Sequence, residues 1–104
     1  MRKLVLSAIL LFLPAIGSAA PGDYQCSLDL SRANTLVAAV AGRDKGGPYK
    51  PDAICGVLRE NLRDMREATG LMRGCMTGHA LRENVGQMEV SMEDVQMAIS
   101  KRCR

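Results

Sequence analysis

The sequence is poor in the groups that most chemistry requires. Its 104 residues include no Trp, one Phe, two Tyr and one His. With so few rings there is no platform on which nucleic-acid bases could stack, so a nucleic-acid partner is not expected. The single imidazole, His79, has no partner set for Ser–His–Asp or Cys–His catalysis. Neither G-x-S-x-G nor H-E-x-x-H occurs, and there is no C-x-x-C of a redox pair or haem attachment. The paired short spacings of a zinc ribbon are also missing. No stretch alternates apolar and polar residues as a half-buried strand does. An enzyme is not expected, and no cofactor is implied.

The first twenty residues read as an export signal. Arg2 and Lys3 precede an apolar run, Leu4 to Leu13, which Pro14 ends. Small residues from Ala15 to Ala20 follow, with cleavage expected after Ala19 or Ala20. As a helix the apolar run is roughly 15 Å long, half of a bilayer core, so no stable span is expected after cleavage. Residues 1–20 are therefore expected to be a secretory signal peptide and residues 21–104 a single domain, periplasmic or secreted. The formal charge of +3 then changes meaning. Without Arg2 and Lys3, twelve basic residues face eleven acidic ones, and the only Phe, Phe12, leaves with the signal.

What remains is rich in Met and Cys. Six Met follow the initiator, and Cys26, Cys55, Cys75 and Cys103 are an even set in a small exported chain. A core of Leu, Val, Ala and Met in a domain this size buries limited area, and disulfides are the usual reinforcement.

The apolar periodicity is helical throughout. Cys26, Leu30, Ala33, Val37 and Val40 form one stripe, widened by Leu36 and Ala41, and Gly42 is placed to end that helix. Residues 43–50 read as a linker. Pro51 and Asp52 suit the first turn of a second helix. Its seam runs through Cys55, Leu58, Leu62, Met65, Thr69, Met72, Met76 and His79, in steps of three and four. Gly74 and Gly78 place its end between them. A third stripe, Leu81, Val85, Met88, Met92, Val95, Ile99 and Cys103, begins near Leu81 or, by the capping pattern Ser91-Met92-Glu93-Asp94, near Ser91.

The fold expected is all-α, a small three-helix up-down-up bundle. That layout brings Cys26 to Cys75 at one end and Cys55 to Cys103 at the other. Bridging Cys55 to Cys75 would require crossing about 30 Å of helix, against a Cα limit near 7 Å.

Two functional readings follow. The first is a non-enzymatic module that binds an unidentified protein partner, such as an inhibitor, an immunity protein or an accessory protein. Tyr49, in the Gly-Gly-Pro loop, is its candidate anchor, since Tyr is favoured at binding hot spots; the competing reading is a ring folded back over the helix ends. The second is a periplasmic Cu(I) or Ag(I) binder. Met72, Met76 and His79, at i, i+4 and i+7, offer soft thioether and imidazole ligands. The competing explanation of those residues is core packing, where Met fills gaps left by absent aromatics.

Overall fold

The computed structural model describes residues 24–103 as three α-helices, α1 (Tyr24–Gly46), α2 (Pro51–Cys75) and α3 (Gly78–Arg102). The expected signal segment 1–20 and its cleavage sites lie outside the described residues. None of the three helices is long and apolar enough to cross a membrane.

The expected stripes become the core. Leu30, Ala33, Val37, Val40 and Ala41 of α1 are buried against Leu58, Leu62, Met65, Ala68 and Met72 of α2, with Val85, Met88 and Val95 of α3 completing the cluster. Both disulfides form as the layout requires, Cys26–Cys75 with its Cα atoms 5.3 Å apart and Cys55–Cys103 with 5.7 Å. They set the register of α2 against each neighbour at opposite ends of the bundle.

Two boundaries differ from the periodicity. α1 does not stop at Gly42 but continues to Gly46, so the linker shrinks to residues 47–50. The extra turn is held by tertiary bonds described below. α3 runs unbroken from Gly78, and Ser91 sits in its interior as a buried residue rather than at its N-cap. Burial of Val85 and Met88 anchors the segment that Gly86 would otherwise weaken. Between α2 and α3 the chain reverses at Gly78, whose φ of 64° is one that side-chain-bearing residues rarely adopt.

The helices do not share contacts equally. α2 packs on both neighbours, whereas no Cα of α1 comes within 8 Å of a Cα of α3. The extents are 45 × 21 × 20 Å. Two short axes of nearly equal length exclude a flat layer, because three helices side by side at 8–10 Å spacing would be far wider than thick. α1 and α3 therefore both lie over one side of α2, without close backbone approach to each other. Among the described residues the ion pairs between helices also all involve α2: Arg32–Glu67, Arg43–Asp64 and Arg43–Glu60 with α1, and Arg73–Glu89 with α3. The hydrogen bond and the charge of Glu67 raise the Arg32 pKa above its ordinary value.

One core residue is poorly satisfied. Asn84, 1% exposed, donates from Nδ2 to the Ala80 carbonyl at 2.9 Å, while its Oδ1 is buried without a hydrogen-bond partner. A buried acceptor with no donor destabilises the fold, and Leu has the higher helix propensity. Asn84→Leu is therefore expected to stabilise the protein by about 1 kcal/mol, read as a higher urea midpoint with an unchanged slope.

Candidate functional site

A cleft with a volume of about 370 Å³ lies between α1 and α3 over α2, at the Cys55–Cys103 end. That is within the range of ligand and side-chain binding pockets. α2 supplies the floor, because Ile54, Leu58, Asn61 and Met65 recur at steps of three and four and so fall on one face. Val40 at the end of the α1 stripe forms one wall, and Ser91, Val95 and Arg102 of α3 form the other. The turn Gly47-Pro48-Tyr49 closes the outer edge.

Arg43 is the hub of this region. It lines the cleft, donates from Nη1 to Asn61 Oδ1 and from Nη2 to Asp64 Oδ2, both at 2.8 Å, and lies 3.5 Å from Glu60. Asp64 is 5% exposed, so Arg43 compensates a carboxylate that is almost fully withdrawn from water. Arg63 stands farther off, 3.8 Å from Asp64 and 3.3 Å from Glu60.

Tyr49 fastens the same turn. Its hydroxyl donates to the Arg43 carbonyl at 2.6 Å. That carbonyl belongs to the last turn of α1, whose acceptors have no partners within the helix. The hydroxyl also lies close over Gly46, where an added Cβ would come within 2.8 Å of it. A residue with a side chain at position 46 would push the ring away. Of the two positions open to the ring, projecting or folded back, the structure shows Tyr49 in the second. It is folded back, half-buried, and its ring is part of the cleft wall. Tyr24, by contrast, two residues before Cys26, is 77% exposed.

The Met and His set is divided between two environments. Met72 is completely buried and Met76 is 5% exposed, both within the hydrophobic cluster. Met76 is already past the end of α2, and His79 is exposed in the first turn of α3. The expected single helical face through all three is thus interrupted at Met76–Gly78, and both thioethers are packed in the core. Among the described residues no group of three His, Cys, Asp or Glu side chains is placed to hold a metal ion.

Periodicity did not identify the polar members of the cleft. Arg43 read as linker, Ser91 as a cap, and Asn61 as an unremarked neighbour of the α2 seam. A usable signal was present: Asn61, Asn84 and Ser91 lie among apolar stripe residues, where a polar side chain needs an explanation. The cleft has hydrogen-bond donors and apolar surface. A scan against family models, a search of curated proteins and a search of solved structures all return no match to this chain.

Proposed function

We propose that this protein is an exported, non-catalytic binding module that holds a segment of another protein in the cleft between α1 and α3. The reading of export rests on the signal-like first twenty residues together with two disulfides, which persist in oxidising compartments such as the periplasm or the exterior. One observation carries the binding reading. α1 and α3 are each bridged to α2 and their backbones do not approach each other within 8 Å, and an apolar floor stays open between them at one end. Such a preformed recess lowers the ordering cost of binding, because its walls are already fixed. Tyr49 contributes as wall rather than as protruding anchor, and its bond to Arg43 sets the width of the outer edge.

A photo-crosslinking residue in place of Arg102, exposed at the mouth of the cleft, tests this in the producing cell. A second one in place of Val90, exposed and not part of the cleft, serves as the control. A discrete crosslinked protein from position 102 and none from position 90 is the expected result. Identical patterns at the two positions, or no adduct at 102, would rule the cleft out as the binding surface.

A further inference from the structure

We propose that Met97 is a reversible oxidation site of the folded protein, where a peroxide converts the thioether to a sulfoxide while the other sulfur atoms of the domain are spared. The fold sorts the sulfur of this chain by exposure. Both cysteine pairs are bridged, so no thiol is left among the described residues. Met72 and Met88 are 0% exposed, Met65 3% and Met76 5%, all within the hydrophobic cluster. Met92 is partly buried against the same cluster. Met97 alone among the Met of the described residues is open to solvent, at 56% exposure. A core thioether meets an oxidant only when the surrounding helices open, and the open population is small. An exposed one reacts without that restriction.

Helix geometry accounts for the exception. Met97 follows Met88 by nine residues, which is two and a half turns at about 3.6 residues per turn. It therefore lies on the side of α3 opposite the stripe that packs on α2. Around it is an open recess formed with Glu93, Gln96, Ser100 and Lys101, and none of these residues lines the cleft. Oxidation here goes beyond the binding reading and is independent of any occupant of the cleft.

With hydrogen peroxide as oxidant the step balances. The sulfur lone pair attacks one peroxide oxygen, the O–O bond breaks, and the departing hydroxide takes the proton from the oxygen now on sulfur. The thioether loses two electrons to become a sulfoxide, and the peroxide becomes water. A sulfoxide is polar and accepts hydrogen bonds, which disrupts a packed core. At position 97 its oxygen meets water, and Lys101, one turn on along the same face, offers an ammonium donor. The packing of α3 on α2 is thus left intact, and the oxidised domain stays folded. A sulfoxide reductase can then restore the thioether, its dithiol becoming a disulfide and the oxygen leaving as water.

Hydrogen peroxide treatment of the disulfide-bonded protein, followed by peptide mass mapping over time, tests the proposal. Met97 is expected to take up the first oxygen about tenfold faster than Met65, Met72, Met76, Met88 or Met92. The singly oxidised protein should keep its melting temperature to within about 3 °C. Sulfoxide reductases of both epimer specificities, recycled by thioredoxin, should remove the oxygen from the folded protein. Met97→Leu, a surface change of similar volume, should slow the first oxygen uptake by about tenfold and leave the melting temperature unchanged. Uptake at Met92 or a core Met as fast as at Met97 overturns the proposal, as does undiminished uptake in the Leu variant. A larger fall in melting temperature after the first oxygen, or a sulfoxide that the reductases leave in place, would show that the site is one of damage rather than of reversible modification.

Discussion

Replacing Cys55 and Cys103 with alanine is expected to lower the unfolding free energy by about 4 kcal/mol and the melting temperature by roughly 20 °C. The bridge closes a sequence separation of 48 residues. On the chain-entropy model, opening such a loop returns that much freedom to the unfolded ensemble. The net stability of a domain of about 80 ordered residues is only about 4–12 kcal/mol, so one bridge is a large fraction of it. The Cys26–Cys75 bridge, with a separation of 49, is expected to contribute equally to stability. Their local consequences should differ. α3 packs on α2 and makes no backbone approach to α1, so losing Cys55–Cys103 releases the wall of the cleft that carries Arg102. Hydrogen exchange should accelerate selectively in the last two turns of α3, while loss of Cys26–Cys75 should leave those turns protected. Equal exchange in the two variants would mean that α3 is held by packing alone. Removal of both bridges is expected to leave the chain unfolded at 37 °C, measured by circular dichroism.

Arg43→Leu is the second large effect, expected to cost about 3 kcal/mol. The reason lies in Asp64 rather than in the arginine itself. That carboxylate is 5% exposed and receives its close ion pair, at 2.8 Å, from Arg43. Without Arg43 it keeps only Arg63, at 3.8 Å on a largely exposed side chain, and Asn61 loses the donor to its Oδ1. A buried charge stripped of its partner is costly, whereas a pair replaced together by apolar groups is often neutral. Arg43→Leu with Asp64→Leu is therefore expected to recover most of the loss and finish within about 1 kcal/mol of the unsubstituted protein. Urea unfolding of the four proteins in this cycle measures the coupling. Additive losses would show that Asp64 draws its compensation from elsewhere. The same substitution should fray α1 back toward Gly42, because the turn it stabilises has few buried contacts of its own.

That last turn illustrates where sequence reading stops. Gly42 followed by Arg-Asp-Lys-Gly-Gly-Pro has the local character of a helix end, and local propensity is a weak prior. The helix continues because Arg43 reaches residues 18 and 21 positions away and because Tyr49 folds back onto its carbonyl. Neither bond has a signature at the spacing of a helical turn. The same holds for Ser91, whose capping-box pattern is real as a pattern but is overridden by burial of Val85 and Met88 on the preceding turns. Asn61 and Ser91 share a cleft only because α2 and α3 run antiparallel in the register that Cys55–Cys103 sets.

The sequence by itself determined the helical class, the faces that become the core, and the pairing of the four cysteines. These depend on periodicity and on rise per residue, which are local quantities, and on the short reach of a disulfide. The poverty in aromatics carried its consequence as well, since the interior is built from Val, Leu, Ala and Met and is covalently tied. Tertiary structure decided that α1 and α3 lean on α2 without close backbone approach to each other, and that a turn with a folded-back Tyr49 bounds the space between them. Angles between helices follow from how ridges of side chains interlock over the whole contact. The cleft is a product of that packing, which no single segment encodes.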